Sequence, residues 1–219
     1  MSSELPLFPL NTVLFPGAPI HLHIFEDRYK RMIRMCMDEQ RPFGVVLIRR
    51  GAEALGPLAE PHTVGCSAMI VNSQRLEQGR MNIVAIGQER FRIQSLDSRA
   101  FPYLMGIVQP FPVEPGDPLE VTRRGDRLRG QVRRLIQTQL KAAGQVLDVT
   151  NLPDDPVELA HLAASVLQIS AEQKQQLLQI VRAEDLIDRV QYIYRREQAL
   201  TESILSHGER ESGLPFSIN

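Results

Sequence analysis

Along the first half of the chain, apolar positions come in short runs punctuated by Gly and Pro. Phe43 to Ile48 is nearly continuous and stops at Arg49-Arg50; Val64 to Val71 is a second run and Met81 to Ile86 a third. The last two are separated by the polar stretch Asn72 to Gly79, which predicts a long hairpin. Arg90-Phe-Arg-Ile93 alternates charged and apolar residues, the pattern of a half-buried strand, and Tyr103 to Val108 supplies another. Leu5 to about Pro110 is therefore expected to be mostly β. One helix interrupts it: Tyr29, Met32, Ile33 and Cys36 fall at i, i+3, i+4 and i+7, which stacks them on one face and leaves Arg28, Lys30, Arg31 and Arg34 towards solvent. Glu26 and Asp27 put negative charge where the helix dipole favours it.

The period changes after Pro110. Four prolines and a glycine lie between Pro110 and Pro118, a stretch that sustains neither a strand ladder nor a helix interior. Beyond it, Asp117-Pro-Leu-Glu120 and Asp155-Pro-Val-Glu158 repeat one signal, with Asp as cap, Pro in the first helical position and Glu two residues after it. Ser170 with Gln173 marks a third start, a capping box. These signals predict helices from about Leu119 to Ala143, ending at Gly144, then Val157 to Leu167, Ala171 to Val181, and about Glu184 to Ser206. The Val157 helix is apolar nearly all round and is expected at the centre. Leu128, Val132, Leu135 and Ile136 form a buried stripe on the first. The expected organisation is thus an α+β chain, with residues 1–112 as a β subdomain carrying one helix, 113–118 as a Pro-rich linker, 119–208 as a four-helix bundle and 209–219 as a loose tail.

Charge narrows the function classes. Lys+Arg and Asp+Glu number 25 and 26, a net charge of −1, so the chain lacks the global positive field that draws proteins to nucleic acid or acidic membranes. Arg123, Arg127 and Arg134 make a local basic stripe, diluted by Glu120 and Asp126 on the same helix. Cys36 and Cys66 stand alone in apolar stretches, which reads as reduced, buried thiols in the cytoplasm. The N-terminus has neither a basic start nor a long apolar run, and no apolar segment is long enough to span a bilayer.

Candidate chemistry is sparse. His21 and His23 would share a strand face and present two nitrogens to a metal, but no further ligand is evident nearby, and half-buried histidines are the alternative. A phosphate loop needs Gly-Lys, which does not occur. Lysine appears only as Lys30, Lys141 and Lys174, all in amphipathic helices, which leaves few bases for a Ser/Lys dyad. No cofactor and no metal are expected.

The string Leu5-Pro-Leu-Phe-Pro-Leu10, followed by Val13-Leu-Phe-Pro-Gly17 and Leu22-His-Ile-Phe-Glu-Asp-Arg-Tyr29, resembles the opening of the Lon protease N-terminal domain family. Phe43-Gly-Val-Val, Val64-Gly65, Ile83 to Gly87 and Arg90-Phe-Arg-Ile93 resemble its barrel strands. Asp155 to Leu205 resembles its helical half, most closely in Leu162 to Ile169. Asp27 departs from the proline common there, yet suits a first helical turn. The resemblance implies a PUA-like pseudo-barrel followed by a helical bundle, and a free-standing, non-catalytic module that binds unfolded or tagged polypeptides, with a protease or chaperone as a further partner. An RNA-binding PUA-like protein and an unrecognised enzyme are the alternatives. Under the resemblance, Phe15, Phe25, Arg28, Tyr29, Arg90 and Phe91 are the candidate polypeptide contacts, with core packing and structural pairing as the competing reading.

Overall fold

The computed structural model describes residues 2–53, 58–142 and 152–211, with side chains described up to residue 135 in the second span and 198 in the third. It is a mixed α+β fold of one sheet and, among the described residues, five α-helices. The sheet comprises β1 (Ser3–Leu10), β2 (Pro19–Ile24), β3 (Phe43–Arg50), β4 (Glu60–Pro61), β5 (Val64–Arg75), β6 (Met81–Asp97) and β7 (Leu104–Pro110). Pairing runs β1-β7-β6-β5-β3-β4, and β1 also pairs in parallel with β3, so that β1, β7, β6, β5 and β3 close a ring; β2 adds to the outer part of β6.

The hairpin forms as expected, Arg75 pairing with Met81, and its turn places Gln78 and Gly79 at positive φ. The two runs expected at Met81–Ile86 and Arg90–Ile93 are one 17-residue strand. A strand this long serves two neighbourhoods: its first part lies between β2 and β5, its second between β5 and β7, with the register shifting on the way.

Period-two alternation sorts side chains to two cores. Leu5, Leu7, Val46, Phe91, Leu104 and Val108 pack inside the ring. Their alternating partners Phe8, Leu10, Phe43, Val45, Cys66, Ala68, Tyr103 and Met105 face outward into a larger core. Helix α1 (Asp27–Asp38) covers part of that outer face with Tyr29, Met32, Ile33 and Cys36, the four residues its spacing selected. Arg31 and Arg34 are exposed, whereas Arg28 and Lys30 are half-buried and paired with Glu26 (2.9 Å) and Asp27 (2.7 Å).

The remaining helices are α2 (Pro118–Ala142), α3 (Pro156–Val166), α4 (Ala171–Leu178) and α5 (Ala183–Glu211). Their starts follow the sequence signals. Asp155 Oδ1 accepts from the N–H groups of Val157 and Glu158 at 2.8 and 2.9 Å, Asp117 Oδ1 accepts from Glu120 at 2.9 Å, and Ser170 with Gln173 forms the capping box. Helix α3 lies among the others, burying Leu159, Ala160, Ala163 and Ala164, and Tyr194 of α5 donates to the Ala163 carbonyl at 3.1 Å. Leu128, Val132 and Leu135 are buried on α2 as expected. The Ile136 side chain, the expected stop at Gly144 and residues 212–219 of the expected tail lie outside the described residues. Helix α4 ends at Leu178, short of the expected Val181, and α5 continues past Ser206 to Glu211.

The outer core is shared by sheet and helices: Phe15, Cys66 and Ala68 belong to the same continuous cluster as Leu159, Leu177 and Leu186. Polar links reinforce it. Gln175 Nε2 donates to the Val64 carbonyl at 2.9 Å, and the proline-rich stretch is stitched to the start of α5 by Glu114 N–H to the Val181 carbonyl (2.7 Å) and Ala183 N–H to the Glu114 carbonyl (3.1 Å).

Candidate functional site

The proline-rich stretch is one wall of a cleft of about 480 Å³ between the sheet and the helices. Pro110, Pro112, Val113, Glu114 and Pro115 form that wall, Pro16 closes one side, Val157, His161 and Ala183 come from α3 and the start of α5, and Glu89 and Arg90 from β6. The lining is mainly apolar. Proline has a fixed φ and no N–H to donate, so past Pro110 at the end of β7 the wall continues neither ladder nor helix, and Pro110, Pro112 and Pro115 are exposed. Pro16 is set in place by an exchange between neighbouring backbone segments: Gly17 N–H donates to the Gly87 carbonyl at 2.8 Å and Gly87 N–H to the Ala18 carbonyl at 2.9 Å.

Two buried polar side chains line this cleft. Arg90 is only 3% exposed; its Nη1 donates to the carbonyls of Leu178 (2.7 Å) and Ile180 (2.6 Å), and its guanidinium lies 4.8 Å from the Phe111 ring centre. Arg90 Nη2 has no hydrogen-bond partner, and no carboxylate is paired with it among the described residues. Burial lowers its pKa to about 10, which still leaves it cationic at neutral pH. His161 is 4% exposed, and its Nε2 is likewise without a partner. Burial, and then the Arg90 charge, press the imidazole down to about 4, so it is neutral in the cleft. Its ring lies 6.2 Å from that of Phe15. Buried polar atoms without partners are costly, which makes these two atoms the site's most informative feature.

The six residues expected as contacts are distributed unevenly. Phe15 is fully buried beside His161, Tyr29 is buried with its ring stacked on Phe8 at 4.1 Å, and Phe91 is enclosed by the ring. Each is buried for its own reason: Phe91 alternates into the ring, Tyr29 lies on the buried stripe of α1, and Phe15, between β1 and β2, belongs to the outer core. Arg90, expected as one of the charged positions of a half-buried strand, is buried under the helices. On β6 the direction opposite Phe91 points not to solvent but to α4, and only Arg92 keeps the exposed position. Arg28 is half-buried, ion-paired to Glu26 and 4.8 Å from the Tyr29 ring centre. Phe25 is 45% exposed and shares a separate groove of about 260 Å³ with Tyr29, Glu26, His23 and Phe8. So Phe25, Arg28 and Tyr29 come together at the start of α1, while Arg90 lines the main cleft and Phe15 is buried next to the cleft residue His161.

Sequence reading missed His161, Glu89 and the proline wall as site residues. A histidine in an otherwise apolar helix was the available signal. His21 and His23 are both exposed on β2, with His23 Nδ1 2.7 Å from Asn82 Oδ1, and no group of three or more His, Cys, Asp or Glu able to hold a metal occurs among the described residues. Cys36 and Cys66 are buried, and burial pushes their thiols up to about 11 and about 12. The basic stripe Arg123, Arg127 and Arg134 is exposed on α2, with Arg123 held by Glu120 at 3.2 Å. No helix among the described residues is long and apolar enough to cross a membrane.

Residues 4–196 match the family model of the ATP-dependent protease La (LON) substrate-binding domain. The chain is 26% identical over 200 residues to the Lon protease of Anaeromyxobacter dehalogenans, covering 90% of this chain and 23% of that protein. It is 28% identical over 179 residues to Lon protease 2 of Myxococcus xanthus, covering 81% and 22%. It thus spans less than a quarter of these curated relatives. Among solved structures it resembles a Lon N-terminal domain protein from Xanthomonas campestris, at TM-score 0.64 and 25% identity over 87% of this chain and 98% of that one. It shares the fold of the N-terminal domain of the Mycobacterium avium complex Lon protease, at TM-score 0.67 and 19% identity over 88% and 98%. Because the family match runs through the strands, the cleft and most of the helices, the chain belongs to the Lon substrate-binding domain family.

Proposed function

We propose that this chain is a non-catalytic polypeptide-binding module, and that the cleft between sheet and helices receives the polypeptide. In this reading the closed sheet is a PUA-like pseudo-barrel and the helices from α2 onward form a bundle against it. The observation that carries the proposal is the pairing of an apolar, proline-lined wall with two buried polar atoms that lack partners, Arg90 Nη2 and His161 Nε2. A polypeptide offers what each part lacks: apolar side chains for the wall, and backbone carbonyl and N–H groups for the polar atoms. The exposed Phe25 and the half-buried Arg28 at the start of α1 form a secondary contact region.

The matched family region is the substrate-binding part of Lon, which supports binding over cleavage. Fluorescence anisotropy with a labelled, permanently unfolded model protein, compared with the same protein folded, tests the proposal. Saturable binding of the unfolded form, weakened by Val113→Trp or Pro112→Trp variants that fill the cleft, is expected. Absence of binding to the unfolded form would overturn it.

A further inference from the structure

The charged groups at the cleft are of one sign at its mouth. Glu89 and Glu114 are both exposed and both line it. Neither carboxylate has an ion-pair partner among the described residues. Arg182, whose backbone bridges to Glu114, directs its guanidinium to Glu184 at 3.7 Å instead. The cation of the site, Arg90, lies beneath the surface and is held by two carbonyls of the chain's own backbone. From outside, the cleft therefore presents apolar walls with two free carboxylates at the rim and buried hydrogen-bonding atoms below.

We infer that the cleft selects polypeptide segments in which apolar residues are flanked by Lys or Arg, the apolar side chains seating against Pro112, Val113 and Val157 and the cations meeting Glu89 and Glu114. This inference rests on the polypeptide-binding reading and adds the chemistry of the segment taken. Arg90 Nη2 suits the same ligand, because it donates to a neutral peptide carbonyl and needs no carboxylate there. An acidic segment would meet like charge at the rim before reaching it, and rim charges act chiefly on encounter and partner choice.

The test uses the whole chain and two fluorescent peptides sharing one apolar centre of Leu, Val and Phe, one flanked by lysines and the other by glutamates. Anisotropy titrations at about 0.05 M salt should show the lysine peptide bound about tenfold more tightly, and about 0.5 M salt should shrink the preference, since exposed pairs are screened. The combined Glu89→Gln and Glu114→Gln variant should bind both peptides alike at low salt, with circular dichroism confirming its fold. Equal affinities in the unmodified chain, or a preference that survives the double variant, would overturn the charge selection while leaving the polypeptide reading standing. Binding of neither peptide nor an unfolded model protein would remove that reading itself.

Discussion

Arg90 on β6 donates from Nη1 to the backbone carbonyl of Leu178, the last residue of α4, at 2.7 Å, and the same nitrogen reaches the Ile180 carbonyl at 2.6 Å. A cation placed on the carbonyls left unpaired at a helix C-terminus satisfies acceptors that the helix cannot, and it interacts favourably with the dipole. Here donor and acceptors come from opposite sides of the proline-rich stretch, 88 and 90 residues apart in sequence. This relationship fixes the floor of the cleft and ties sheet to helices.

Replacing Arg90 by Met should therefore cost about 3 kcal/mol, since a buried and a part-buried carbonyl lose charge-assisted bonds and gain no substitute. Arg90→Lys should recover part of that loss. Urea unfolding monitored by circular dichroism checks both, and a change below about 0.5 kcal/mol in the Met variant would show that the carbonyls find other partners.

His161 should give the protein a pH dependence of defined sign. Burial lowers its pKa in the folded chain to about 4 from the ordinary histidine value of 6.5, so between these values the unfolded chain binds the proton and the folded chain does not. The contribution to stability is fully present above about pH 6.5 and falls as pH drops towards 4, by about 2 kcal/mol at pH 5. His161→Gln should lack this slope. Urea midpoints at pH 7.5 and pH 5 for the two proteins give the difference, and parallel loss in both would assign the effect elsewhere.

Much of this architecture is written locally. The α1 stripe Tyr29, Met32, Ile33 and Cys36, the Asp155 and Ser170 caps and the β5–β6 hairpin all follow from periodicity and capping chemistry, which act over a few residues. The cleft does not. Whether Arg90 faces solvent or the end of α4 depends on what packs 88 residues away, and alternation along β6 says only that it opposes Phe91. The proline stretch is legible as a break in secondary structure, yet its role as a wall appears only once Glu114 is bonded to Val181 and Ala183. His161, one polar residue in an apolar helix, carries a signal that burial makes intelligible.

Gly87 should be intolerant of a side chain. A Cβ there would collide with the Phe15 carbonyl oxygen, a backbone atom that cannot swing aside. Gly87→Ala must push apart the two segments joined by the Gly17 and Ala18 bonds, which position Pro16 at the cleft, and a loss of about 2–3 kcal/mol is expected. A thermal midpoint within 2 °C of the parent, on the order of a few tenths of a kcal/mol, would contradict the close approach.

Cys36 and Cys66 should be inert in the folded chain. Both are buried, and burial raises both thiols well above neutral pH, so little thiolate is present and reagents cannot reach it. Ellman's reagent should titrate neither at pH 8 under native conditions and both in strong denaturant. Rapid stoichiometric reaction of one thiol in the folded protein would mean that its surrounding packing opens readily.

The central claim is that unfolded polypeptide occupies the cleft, and site-specific photo-cross-linking tests it most directly. A benzophenone amino acid at Pro112, exposed on the cleft wall, is compared with one at Val71, which is 59% exposed on β5 and does not line the cleft. With a labelled unfolded protein and illumination, the account predicts a covalent adduct from position 112, competed by unlabelled unfolded protein, and little from position 71. Efficient adducts at 71 with none at 112, in two variants of equal fold, would place polypeptide recognition on another face.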